Sequence, residues 1–184
     1  ALVLLGGLLL ISTSGVFGRV ITLPPGTTIW VRCCLAGIIL FVIMKLQGHN
    51  TRFLTGRDGW RVAISAVFLW CHWTAYFAAL ICSIIALAML SLFTYPVMTS
   101  ILEPLLLKTR FQPRHIVIAL IGFLGIYLLV PEFSLENDSF IGILFGLLSA
   151  VFYTFRNLLL KRVQVPVHGG VLMMHQAFIV AILF

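Results

Sequence analysis

Hydrophobic positions along this chain fall in long unbroken runs separated by short polar stretches, and they do not alternate. About seven runs can be marked off: Leu2 to Leu23, Thr28 to Leu46, Arg61 to Ile81, Ile84 to Leu107, His115 to Val130, Phe140 to Leu160, and Val171 to Phe184. A helix needs roughly 20 residues, at about 1.5 Å per residue, to cross a bilayer. Most of the runs reach that length, and the last stops short of it, so truncation is expected at the C-terminus and by a few residues at the start. Turn signals punctuate the runs, with Pro24-Pro25-Gly26 after the first and Cys82-Ser83 leaving almost no loop between the third and fourth. The pattern predicts an all-α membrane protein, a polytopic helical bundle. Continuous apolar runs argue against a transmembrane barrel, whose strands alternate.

Composition agrees with this reading and narrows it. Hydrophobic residues make up 61% of the chain and charged residues 9%, with a mean hydropathy of +1.15. A soluble domain carries about 25% charged residues, so too little charge is present to cover a water-exposed surface. The net charge of +7 would suit nucleic acid, but its carriers sit in short loops between spans, so no nucleic-acid partner is expected. Lys45, Arg52, Arg57 and Arg61 fall on one side; Lys108, Arg110 and Arg114 return to it two spans later, and Arg156, Lys161 and Arg162 two spans after that. The other loops hold Pro24-Pro25, Cys82-Ser83 and the acids Glu132, Glu136 and Asp138. The positive-inside rule then places the basic side and the N-terminus in the cytoplasm, and a plasma (inner) membrane location is expected. The cysteines Cys33, Cys34, Cys71 and Cys82 lie within apolar runs without metal-ligand spacing, so neither a metal nor a cofactor is expected.

Ser91 to Lys108, SLFTYPVMTSILEPLLLK, combines span-like hydropathy with polar and helix-breaking residues. Such residues at membrane depth face protein or a water-filled path. On a helical projection Ser91, Thr94, Tyr95, Met98 and Leu102 form one stripe, with Thr99 beside it. This stripe could be a cavity wall of hydroxyls and a ring; alternatively, the hydroxyls bond back to their own helix carbonyls. Pro96 is expected to kink the helix. Glu103 suggests proton coupling on one reading, and on the other an ion pair near the cytoplasmic mouth with a basic residue of the Lys108–Arg114 loop. In the third run His72 and Tyr76 share a face, and Trp70, Trp73 and Phe77 make the adjoining one. These rings either line a substrate cavity or pack against neighbouring helices. Arg19 and Arg32 flank the Pro24-Pro25 turn, where they either snorkel to headgroups or draw anionic substrates to an outer entrance. The roles of His175 and Gln176 are open.

A weak internal repeat is present. Gly7, Leu9, Ser14, Val16 and Phe17 align on Gly142, Leu144, Ser149, Val151 and Phe152, and Thr28–Phe41 aligns on Val171–Phe184. If the sixth run restarts the pattern of the first, one unit is five spans, and its second copy is inverted in the membrane. Substrate sites of inverted-repeat transporters lie where the repeats meet.

SGVFGR (Ser14–Arg19), VRCCLAG (Val31–Gly37), TYPV (Thr94–Val97) and the closing helix IVIALIGFLGIYLLV (Ile116–Val130) resemble the EamA-type repeat of the drug/metabolite transporter superfamily. The resemblance covers residues 1–131 as one repeat and the opening of a second at residues 139–184. It implies ten spans in two five-helix inverted repeats, about seven of them present here, moving small metabolites or drugs by alternating access. The family often has Gly-Glu at the end of the fourth span, where this chain reads Leu107-Lys108. The expected partners are a small-molecule substrate, the lipid bilayer, the missing C-terminal half of the second repeat and, as an assembly to test, a second copy in a homodimer. The piece is not expected to complete a transport cycle alone. The competing classes are an intramembrane enzyme using His72 or Glu103 and a seven-span receptor. No catalytic motif supports the first, and the charge pattern opposes the second.

Overall fold

A computed structural model describes residues 23–108 and 138–184, together with isolated helical positions at 117, 121, 124 and 128. The described residues form helices α1 (Pro25–Leu46), α2 (Gly56–Cys82), α3 (Ile85–Leu92), α4 (Tyr95–Leu107), α5 (Asp138–Lys161) and α6 (Gly169–Leu183), with no strand among them. The segments Gly26–Leu46, Gly56–Cys82, Ile85–Leu107 and Ser139–Lys161 are long and apolar enough to cross a membrane, and Gly169–Leu183 is a shorter apolar helix. The chain is therefore a polytopic helical membrane protein. The first run lies outside the described residues, as does most of the fifth.

Helix ends follow local chemistry. Pro24-Pro25-Gly26 is not wholly a turn, because Pro25 occupies the first turn of α1, where its missing N–H goes unneeded. α1 stops at Gly48, whose φ of +75° suits glycine. There the His49 amide reaches the Met44 carbonyl at 2.9 Å and the Gly48 amide reaches that of Lys45 at 3.0 Å, the pairing that closes a helix through a left-handed residue. α2 starts five residues before the expected Arg61. Its first turn is held by Asp58, whose carboxylate accepts from the amides of Gln164 and Val165 at 3.1 and 3.0 Å and from Arg61 at 2.7 Å. A hydropathy reading had no means of placing these charged residues inside the helix.

The fourth run departs from expectation at its break. The helix is interrupted at Phe93-Thr94, and Pro96 sits in the first turn of α4 rather than kinking an interior. A proline there forfeits no hydrogen bond that the helix would have made. Pro104 is the proline inside the helix.

α2 and α5 run antiparallel, shown by the contacts of Arg61 with the Arg162 carbonyl, Phe68 with Phe155, and His72 with Ser149. α3 and α4 run parallel to α5, with Ser91 beside Gly146, Tyr95 against Tyr153, and Glu103 paired to Lys161. α1 and α6 are antiparallel: Gly26 lies by Phe184, Gly37 by Phe178 and Gly170 by Met44. Small residues let these helices approach closely where lipid offers little hydrophobic drive to associate. The buried centre, including Ile29, Ala66, Leu69, Phe77 and Val180, draws on α1, α2 and α6. Leu35, Ile38, Ile39, Val42 and Leu46 on α1 are exposed, as a lipid-facing stripe would be. Exposed Val117, Ile121, Leu124 and Leu128 recur at helical spacing.

Candidate functional site

A cavity of about 390 Å³ opens between α2, the α3–α4 break and α5, a volume within the range of small-molecule sites. Its wall is largely aromatic. α2 contributes His72, Trp73 and Tyr76 at helical spacing, and the break contributes Phe93 and Tyr95. Tyr153 comes from α5, its ring 4.7 Å from that of Tyr95 in an edge-on arrangement and 4.7 Å from His72. The break accounts for the presence of Phe93 and Tyr95, since an unbroken helix would not turn both side chains to one space. Leu69, Met89, Leu92 and Met173 complete the apolar lining.

Two guanidinium groups enter this ring of aromatics. Arg32 on α1 lies over the Trp73 ring, 4.6 Å from its centroid, and Arg156 on α5 lies 5.4 Å from that of Tyr153. Arg156 is further held by a chain of polar groups across the bundle. It donates to Gln176 Oε1 and, at 2.9 Å, to Asn157 Oδ1. Gln176 Nε2 donates to Ser65 Oγ at 2.6 Å, and Ser65 donates to the Val62 carbonyl at 2.7 Å. Gln176 and Ser65 are fully buried. Arg156 Nε is buried without a partner among the described residues.

His72 is fixed by Ser149. Its Nδ1 lies 3.1 Å from the Ser149 carbonyl and 2.8 Å from Ser149 Oγ, while that hydroxyl donates to the His72 carbonyl at 3.1 Å. With Nδ1–H donating to the carbonyl, Nε2 is left as the acceptor of the ring. Ser149 is completely buried, and its hydroxyl serves the helix contact.

Of the residues singled out from the sequence, Trp73, His72, Tyr76, Tyr95 and Arg32 meet in this cavity. Ser91, Thr94 and Thr99 do not line it. Their hydroxyls donate to the carbonyls of Leu87, Ser91 and Tyr95 at 2.6, 2.7 and 2.7 Å, and Ser91 and Thr94 are buried between helices. Trp70 points elsewhere, towards Phe184, with its indole nitrogen unpartnered among the described residues. Glu103 forms an ion pair with Lys161 of α5; the arginines of the Lys108–Arg114 loop lie outside the described residues. Helix α5 returns antiparallel to α2 and carries Lys161 to that same end. Arg19 lies outside the described residues.

The sequence reading also assigned Arg156 to the basic loop group, and the structure moves it into the cavity. Arg156 sits more than one turn before the end of α5, at Lys161. Tyr153 was likewise unforeseen, and Gln176, whose role the sequence left open, is found holding Arg156. Among the described residues no cluster of three or more His, Cys, Asp or Glu side chains could hold a metal.

No curated protein and no solved structure matches the chain. A family model described as the EamA-like transporter family matches residues 1–130, a range that contains Arg32, the α2 rings and Tyr95. On that match over most of its length, the chain belongs to the EamA-like transporter family, and so among the membrane transporters of the drug/metabolite superfamily.

Proposed function

We propose that this protein moves a small metabolite or drug across the bilayer by alternating access, with the aromatic cavity between α2, α3–α4 and α5 as its substrate site. The observation that carries this reading is the cavity itself. Its α2 residues run from the middle of the helix, at Leu69, to Tyr76, inside the Gly56–Cys82 span, and it is walled by rings that bind organic molecules through their faces.

An inverted pair of five-span repeats supplies the moving parts. α1 and α6 are the spans that the internal repeat equates, and they pack antiparallel on one another. Two equivalent elements related by an axis in the membrane plane would meet in this way. The basic ends of α2, α4 and α5 gather on one side, which supports a cytoplasmic placement of that face.

Uptake of a radiolabelled small-molecule library into proteoliposomes containing the full-length protein tests the reading. At least one compound is expected to accumulate, and Trp73→Ala and Tyr153→Ala are each expected to cut its uptake at least tenfold. Trp60→Ala, at a position 68% exposed on the bundle surface, is expected to leave uptake unchanged. A substrate carried equally well by both cavity variants would place the pathway elsewhere.

A further inference from the structure

Arg32 and Arg156 bring two positive charges to the cavity, and no acid among the described residues answers them. The chain has five acids, and the side chains of two, Asp58 and Glu103, are described. Asp58 is taken up by Arg61 and two loop amides, and Glu103 by Lys161, both at the basic end of the bundle. Asp138 begins α5, 18 residues and about 27 Å of helix away from Arg156.

A guanidinium in a low-dielectric setting is costly unless an anion or several acceptors meet it. The acceptors in place for Arg156 are amide oxygens and a thioether, Gln176 Oε1, Asn157 Oδ1 and Met173 Sδ. They orient the group and leave its charge standing. Arg32 has the face of Trp73, a contact that does not neutralise it either.

We infer that the cavity binds an amphipathic organic anion, its oxyanion on Arg156 and its apolar body among His72, Tyr76, Tyr95 and Tyr153. This rests on the proposal that the cavity is the substrate site. Arginine's planar fork suits an oxyanion, and a substrate that brings negative charge is favoured beside two guanidinium groups that no acid among the described residues answers. A cationic amine of the same shape meets two like charges and, among the described residues, no acid. Ser65 and Gln176 are positioning residues, reaching the ligand only through Arg156.

Equilibrium binding to the full-length protein in phosphatidylcholine nanodiscs tests this with three probes of one shape: 3-phenylpropanoate, its amide and 3-phenylpropylamine. The carboxylate is expected to bind at least tenfold more tightly than the amide, and the amine more weakly still. Arg156→Gln should remove the preference for carboxylate over amide, and Arg156→Lys should keep part of it. Because Arg156→Gln could unfold the bundle, Gln176→Glu is the second variant. It sets a carboxylate of the protein's own against the guanidinium, so the thermal midpoint should hold or rise while carboxylate binding falls at least tenfold.

The inference is overturned if the amide or the amine binds as well as the carboxylate, if none of the three binds, or if Gln176→Glu leaves carboxylate binding intact. Competition by phosphatidylglycerol in the disc would assign the oxyanion to a lipid headgroup and overturn the solute. The transport reading fails on a separate measurement, in which a probe that binds is not carried into proteoliposomes by the full-length protein.

Discussion

Single side chains here are held by few but specific contacts, and Asp58 is the clearest case. It is 8% exposed and its carboxylate serves three donors, two of them amides of the α5–α6 loop. Asp58→Ala would leave those amides and Arg61 without their acceptor, a loss of about 2–4 kcal/mol. Asp58→Asn keeps one oxygen and is expected to lose about half as much. Thermal unfolding in detergent should rank wild type, Asn and Ala in that order, and equal midpoints for all three would remove Asp58 as an anchor. Lys108 works in the opposite sense. It holds a left-handed conformation at φ 55° and ψ 36° at the end of α4, where a side chain costs about 1 kcal/mol relative to glycine. Lys108→Gly should therefore stabilise the protein by roughly that amount, and a lower midpoint would show that the lysine makes a compensating contact.

At the scale of helices, close approach is what the packing depends on. Gly146 of α5 faces Ser91 so tightly that an added Cβ would stand 2.5 Å from the serine Cβ, and Gly142 is pressed on Ser83 in the same way. Gly146→Leu should force α3 from α5, costing about 1–3 kcal/mol, and should also reduce substrate uptake, because Phe93 and Tyr95 hang from the same break. Normal uptake and stability in that variant would mean that α3 repacks freely. The runs of hydropathy were enough to place α1, α2, α5 and α6 and the near absence of a loop after Cys82, because lipid sets length and polarity for each span. The aromatic face of α2 was legible for a related reason: helical spacing alone puts His72 and Tyr76 together. The interruption at Phe93-Thr94 was not legible, since a proline in an apolar run fits an interior kink and a first turn equally well. Arg156 was hidden for another reason. Residue type alone cannot separate a loop cation from one inside a span, and the Ser65–Gln176 chain that orients it joins two helices more than 100 positions apart in sequence.

At the scale of the whole bundle, the basic end is tied by polar bonds between helices, and this bears on how the cavity opens. At the basic end Glu103 pairs with Lys161, Arg162 donates to the Leu106 carbonyl, and Arg61 donates to the Arg162 carbonyl. Together with the Asp58 anchor, these bonds join α2, α4 and α5 just beyond Arg156. If access alternates, the end fastened by polar bonds between helices has to release them when the cavity faces that side. Glu103→Gln keeps the shape and removes the charge, leaving the Arg162 and Arg61 contacts in place. An exposed ion pair is worth about 1 kcal/mol or less, so its loss should raise the fraction of molecules open at the basic end about fivefold or less. A cysteine at Leu92, which lines the cavity, reports this in a background where Cys33, Cys34, Cys71 and Cys82 are replaced by serine. A membrane-impermeant maleimide applied from the basic side should modify it two- to fivefold faster in Glu103→Gln, and the charge-restoring double variant Glu103→Lys with Lys161→Glu should return the rate to that of the parent. Unchanged labelling in Glu103→Gln would mean that the pair braces α4 against α5 without gating access to the cavity.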